Sequence, residues 1–532
     1  MLVMKWITDH EGRLKARWCE DPRPGHLPVC RGGAFLRKPV RVGGPPGSNS
    51  VPLQNGQSQS FPAGAEEFCR IQSPTHVGIP VRLENSGMPG QVLQRALRRL
   101  HWGALLTSLF LGTPLLGQDK VPDLLSTWDI HFQSTVIGQE AFPFSALYSG
   151  ANSLEPHGEV RDTFSFDVTA HKRIWYGGEF FVDVLSWQGY GLSKTEGVAG
   201  FPNGEAYRVG KTFPDAIVSR AYFRQTLSLD GEANYRSDPK AAQGGGADER
   251  RLILTIGHIP SSDVFDKNTY ANDPRGQFMN WGFVNNLAWD YPADSLGFTS
   301  GAAAELALSS WSVRAGIFQV PLVSNGIRMD WDLVRAWSLA GELEKRYSFR
   351  GHPGAVRLLS YKERGHLGNY QECLNDPENL APSGQLGYRT KYGFGINLEQ
   401  QLRKDLGAFA RLGWSDGKNQ TWAFTDVDRT ASGGLSVKGE AWRRPGDTLG
   451  FAAAVNGISA IHRQFLAADG LGITVGDGRL NYGREEILET YYSIGLRHGF
   501  ALSPDFQYVA NPAYNRDRGP APICALRLHW EK

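Results

Sequence analysis

Five cysteines and five methionines in 532 residues are few, and three of the cysteines (Cys19, Cys30, Cys69) fall in the first 87 positions. The two that remain, Cys373 and Cys524, make neither a disulfide framework nor a metal-ligand spacing. Long hydrophobic runs are also missing. The one compact apolar core, 102–112, is too short to cross a bilayer as a helix. No H-E-x-x-H, G-x-S-x-G or P-loop occurs, so the usual metalloprotease, hydrolase and nucleotide signatures are absent. His462 and Asp469 lie close in sequence but without a serine-containing signature. Carboxylate pairs such as Asp426 with Asp428 and Glu485 with Glu486 are ordinary for polar loops, which makes a glycosidase the weaker reading. No cofactor and no metal is expected.

Net charge first reads as +2. Residues 1–117 hold 14 of the 56 Lys and Arg and 7 of the 54 Asp and Glu, which leaves 42 against 47 beyond them, or −5. The basic excess thus belongs to the beginning of the chain and gives no argument for nucleic acid. Residues 1–87 are punctuated by Pro-Gly and polar tracts without sustained periodicity, the composition of a disordered or mis-annotated N-terminal extension. From Met88, Arg95, Arg98 and Arg99 precede the apolar core, and Gly117 follows it. That order is a secretory signal peptide over 88–117, with translation expected to start at Met88 and the mature chain near Gln118.

What fills 118–532 is one texture. Short segments with every second residue apolar alternate with Gly, Asn, Asp and Pro clusters, and no linker or strict repeat interrupts them. Candidate strands lie near 130–137, 163–170, 173–185, 217–229, 251–260, 278–289, 303–309 and 311–320. They continue near 333–346, 354–362, 390–402, 406–414, 430–437, 447–456, 487–498, 502–511 and 522–530. The last is typical: Cys524, Leu526, Leu528 and Trp530 share one face, with Arg527 and His529 on the other. Arg314 and Arg411 likewise stand alone on the polar parity of their strands. Lipid tolerates no charge cheaply, so these arginines should point inward. The fold expected is all-β: a transmembrane antiparallel β-barrel of about 16 strands in one domain. A soluble sandwich with one solvated face is the alternative, and a mean hydropathy of −0.35 does not separate the two. Trp128, Trp175, Tyr176, Trp187, Trp281, Trp289, Tyr291, Trp331, Trp337, Tyr491, Tyr492 and Trp530 read as interfacial rings.

Several segments carry a resemblance to a known family: Tyr148-Ser-Gly-Ala-Asn-Ser-Leu154, Gly200-Phe-Pro-Asn-Gly-Glu-Ala-Tyr-Arg-Val-Gly210 and Phe265-Asp-Lys-Asn-Thr-Tyr-Ala-Asn-Asp-Pro-Arg275. Further ones are Ala288-Trp-Asp-Tyr-Pro-Ala-Asp294, Tyr388-Arg-Thr-Lys-Tyr-Gly-Phe-Gly395, Gly476-Asp-Gly-Arg-Leu-Asn-Tyr-Gly483 and Ala510-Asn-Pro-Ala-Tyr-Asn-Arg-Asp-Arg-Gly-Pro520. In number and order these resemble the carbohydrate-selective porin (OprB) family over about residues 124–532. The resemblance implies an outer-membrane barrel that passes mono- and oligosaccharides. The expected partners are those sugars, outer-membrane lipid and the barrel assembly machinery, with the barrel a monomer or homotrimer. One departure stands out. The chain ends Trp530-Glu531-Lys532 where the family typically ends on an aromatic.

A sugar channel needs hydrogen-bonding charges beside ring faces, binding weakly enough to release. The motif loops offer Glu205, Arg208, Asn268, Tyr270, Asp273, Arg275, Trp289 and Asp290; the inward parities add Arg224 and Arg411. Asn203-Gly204 and Asp273-Pro274 are equally good turn chemistry. A general diffusion porin without sugar preference, a barrel enzyme and an adhesin remain the other readings.

Overall fold

The computed structural model describes residues 2–8, 14–20, 128–207, 210–229, 250–376, 380, 382, 387–423 and 425–532. Two compact units divide the chain between Asn85 and Ser86. In the first, β1 (Leu2–Thr8) and β2 (Leu14–Glu20) pair antiparallel, a hairpin that the sequence reading of this stretch does not anticipate. The leader at 88–117 lies outside the described residues.

In the second unit, sixteen antiparallel strands run from β3 (Asp129–Ala141) to β18 (Ala521–Glu531), and β18 pairs back onto β3 to close a barrel. Every strand follows its neighbour in sequence, so no edge is left unpaired. The alternation decides which side chains meet the lumen. On β16 (Glu485–Gly495), Leu488 is 44% exposed on the outer face while Glu489 is 1% exposed on the inner one. On β18, Arg527 is fully buried inward and Leu526, Leu528 and Trp530 lie on the opposite parity. Leu254, Ile256, Val313, Ile317, Leu412 and Phe451 continue the outward apolar belt.

One rim carries the tight turns, such as Trp175 to Gly178, Ala307 to Trp311 and Arg403 to Leu406, with a longer connection from Ser228 to Arg251. Between Phe349 and His352 the turn residues Arg350 and Gly351 both have positive φ, the geometry whose twist matches a hairpin. The opposite rim carries the long connections, Ile259 to Thr299 and Gly457 to Glu485 among them.

Two of these long connections fold into the barrel, and here one expectation fails. Residues 278–289 are not a strand: Trp281–Val284 is a single helical turn, α1, capped by the Asn280 side chain on the Gly282 N–H. The segment is apolar because Phe278 and Phe283 pack on Phe409 and Tyr491 of the inner wall. A closed barrel offers it no edge to join. The aromatics divide in the same way. Trp175 and Tyr176 are exposed at the tight-turn rim, whereas Trp187, Trp289, Tyr291 and Tyr491 are buried inside and belong to no girdle. Cys373 is buried among the long loops and Cys524 is half-buried on the outer face; both are free thiols.

Candidate functional site

The inward loop between β7 (Arg251–Ile259) and β8 (Thr299–Ala307) would enter the barrel with unsatisfied backbone groups unless the wall supplied partners. It does so with charge. Arg411 of β13 (Leu406–Ser415) donates to the carbonyl oxygens of Phe283 and Ala271, both at 2.7 Å, and pairs with Asp266 at 3.1 Å. Glu489 accepts from the N–H groups of Met279 (2.6 Å) and Asn280 (3.0 Å). Glu342 of β10 (Trp337–Phe349) accepts from Asp266 N at 2.7 Å, and Arg527 donates to the carbonyls of Pro274 and Gln277. Glu485 holds the neighbouring loop through Ala199 N and Gly200 N, each at 2.9 Å. Each charged group therefore ends on backbone dipoles or an opposite charge, which makes its burial tolerable. Facing the loop, wall glycines leave it room. A methyl on Gly413 would overlap the Asn286 side-chain oxygen, and one on Gly407 the Tyr270 ring.

These anchors hold the loop against β10, β13, β16 and β18, and a string of charges stands along β4 (Glu159–Trp175), β5 (Gly178–Gly189) and β6 (Lys211–Ser228). Arg275 on the loop reaches Asp167 of β4 at 2.7 Å and Glu205 at 2.9 Å. Glu205 also accepts from Ser165 Oγ at 2.6 Å. Beside this group, Arg220 pairs with Asp183 (2.9 Å) and with Asp263 of the loop (2.6 Å), and Lys267 comes within 4.0 Å of Asp263. The side chains of Arg220 and Asp263 keep about a third of their surface in solvent, 31% and 32%, although both point inward. That is the signature of a wet lumen rather than a packed core. Burial would raise the Asp263 carboxyl, but Arg220 and Lys267 outweigh it and hold it below the usual range. Burial lowers Lys267.

The expected site residues thus separate. Glu205 and Arg275 are brought together. Arg224 lies inward over the Phe181 and Tyr222 rings, at 4.8 and 5.4 Å, and donates to the Tyr222 hydroxyl. Phe181 and Tyr222 themselves stack at 4.8 Å. Asp273 accepts from Arg275 N and from Gln277 N, shaping the turn that presents Arg275. Tyr270 lies half-buried on Gly407, and Asn268 is tied to Asn397 at 2.8 Å. Arg208 lies outside the described residues. Trp289, Asp290 and Arg411 face no lumen. Trp289 is 2% exposed among Phe265 and Tyr291, and Asp290 is locked by Lys391 (2.9 Å) and by Trp422 N and Ala423 N. Their aromatic-plus-charge pattern marks the seam between loop and wall. Asp167, Asp183, Arg220, Asp263 and Lys267 were not singled out in the sequence. Asp167 and Asp183 could have been, since each is an acid on the polar parity of a strand.

Residues 151–531 match the model of the carbohydrate-selective porin, OprB family. The high-pH structure of Pseudomonas putida OprB superposes with a TM-score of 0.57 at 16% identity, covering 77% of this chain and 95% of that one. Among curated relatives, Porin AaxA of Chlamydia muridarum is 22% identical over 330 residues, 58% of this chain and 61% of that protein. Porin AaxA of Chlamydia caviae is 23% identical over 288 residues, 52% of this chain and 53% of that protein. The matches therefore span between half and three-fifths of these relatives' own length. Fold and family model agree, and the chain belongs to the carbohydrate-selective porin, OprB family, β-barrel channels of the bacterial outer membrane.

Proposed function

We propose that this channel admits mono- and oligosaccharides passively and selects them at a constriction between the inward loop and β4 to β6. The observation that carries the reading is the alternating acid–base string Glu205–Arg275–Asp167 and Asp183–Arg220–Asp263–Lys267, partly wet and set between the braced loop and the wall. Sugars offer vicinal hydroxyls that both donate and accept. A wall presenting guanidinium and carboxylate side by side meets both needs, while its own pairing keeps each contact weak. Arg224 over its two rings extends the string toward the tight-turn rim. The family description supports a sugar as the solute. The family and the fold support a channel rather than an enzyme.

The test is reconstitution in planar bilayers. Sugars of increasing length should block ion current saturably and reversibly, whereas an uncharged polymer of similar size should reduce it only in proportion to its bulk. Equal effects of sugar and polymer would instead identify a general diffusion porin.

A further inference from the structure

A cation on the lipid-facing parity of a barrel is costly unless it meets opposite charge. β11 (His352–Leu367) carries Leu358, Ser360, Lys362 and Arg364 outward, between the inward Leu359, Tyr361 and Glu363. Lys362 and Arg364 are exposed, and among the described residues neither has a carboxylate partner. Their neighbours extend them into a row. Lys362 is registered opposite Tyr392 of β12 (Gly387–Arg403). The Tyr392 ring lies 5.7 Å from Trp414 on β13, and the guanidinium of Arg429, the first residue of β14 (Arg429–Lys438), sits 4.7 Å over that same Trp414 ring.

Four adjacent strands thus present Lys362, Tyr392, Trp414 and Arg429 in a row, Lys362 registered with Tyr392 and Trp414 with Arg429, with Arg364 two residues nearer the rim. Strand spacing puts the end cations on the order of 14 Å apart. Toward the middle of the barrel the same outward faces carry Leu339, Leu358, Phe394, Ile396 and Leu412, all exposed. Arg335 and His366 flank the row, each 3.7 Å from a carboxylate, Asp332 and Asp330 respectively. The rim is the one with long connections, the external side of an outer-membrane barrel. Rings mark the interface, and cations just beyond an acyl-facing belt stand at headgroup phosphates.

We propose that this face binds a phosphorylated, acylated glycolipid of the outer leaflet. Its phosphates meet Lys362, Arg364 and Arg429, its sugar rests on Tyr392 and Trp414, and its acyl chains run along Leu358, Phe394 and Ile396. The occupant follows from charge complementarity: among the described residues no carboxylate pairs with Lys362, Arg364 or Arg429, though Arg429 also donates to the carbonyls of Ser415 and Asp428, and anionic headgroups are expected at this depth.

The experiment titrates the detergent-solubilised barrel with diphosphorylated lipid A, with its dephosphorylated form and with inorganic phosphate, reading bound lipid by native mass spectrometry. The double variant Lys362→Gln/Arg364→Gln should bind diphosphorylated lipid A about tenfold more weakly or worse, as the loss of two headgroup contacts predicts. The dephosphorylated lipid should not distinguish variant from wild type, and inorganic phosphate at matched concentration should not compete. Both substitutions are on exposed side chains, and unchanged heat-modifiable migration would show that the variant is folded. Lys438→Gln, at the opposite rim, should leave binding intact. Equal binding by the double variant, or equal binding of the dephosphorylated lipid to wild type, would overturn the proposal. So would a loss of self-association in the double variant, which would make a second copy of this chain the occupant.

Discussion

Arg411 donates to the carbonyl oxygen of Phe283 at 2.7 Å, from a wall strand to a loop that would otherwise have no partner for that group. The contact turns an inward-facing arginine from a channel-lining charge into a strut. With its further bonds to Ala271 and Asp266 it holds both ends of the loop's deepest part. Arg411→Met keeps the volume and removes the charge. Losing one member of a buried pair costs about 3–5 kcal/mol, here drawn from the seating of the loop rather than from the barrel ladder. The expected result is a folded barrel with larger, noisier single-channel conductance and faster hydrogen exchange over 265–284.

The wall glycines offer a milder version of the same disturbance. A Cβ at Gly413 meets Asn286, while a Cβ at Gly138 meets nothing within 4 Å. Gly413→Ala should raise conductance and lower the midpoint of thermal unfolding, with the direction set by a neighbour that must move. Gly138→Ala should match wild type in both. Equal behaviour of the two variants in bilayer recording would contradict the packing described.

Acid should release part of the external loop cluster. Burial alone would raise the Asp428 carboxyl, but the charge and hydrogen bond of His462, 3.1 Å away, outweigh it and bring the carboxyl down to about 2. A folded-state value below the unfolded one, about 3.9, stabilises above that pH and ceases to do so as pH falls through the folded value. Protection of the helix Ala460–Ala467 against hydrogen exchange should hold from pH 5 to 4 and decline between 4 and 2. In His462→Gln, which lacks the group that lowers this carboxyl, the helix should be less protected at pH 5 and the further loss between pH 4 and 2 should be smaller.

Parity gives a labelling prediction. Leu528 faces outward and Arg527 inward. In a Cys524→Ser background, Leu528→Cys in vesicles should resist a charged, impermeant thiol reagent; free labelling there would mean the register is displaced by one residue.

Much of this was legible in the sequence, for a physical reason. A strand with one wall in lipid and one in the lumen must alternate, so Leu526, Arg527 and Leu528 announced their sides, as did Arg314 and Arg411. The segment 278–289 misled because Phe278 and Phe283 are apolar for a different cause, burial against Phe409 and Tyr491. Periodicity reports that a side chain avoids water; it does not say whether lipid or a plug replaces the water. For the same reason Trp289 and Asp290 looked like a sugar platform and are a seam. Pairings such as Arg275 with Asp167 join residues more than a hundred positions apart, and only closure of the barrel brings them together.

The central claim is that the charges paired between the braced loop and the wall recognise sugar. It is tested most directly by sugar-dependent block of ion current through single channels of wild type and Arg275→Ala. The account predicts that Arg275→Ala assembles, conducts, and needs at least about tenfold more sugar for half-maximal block, the order expected when a charged hydrogen-bonding group is lost. Block with unchanged sugar dependence would place the selecting residues elsewhere and contradict the account.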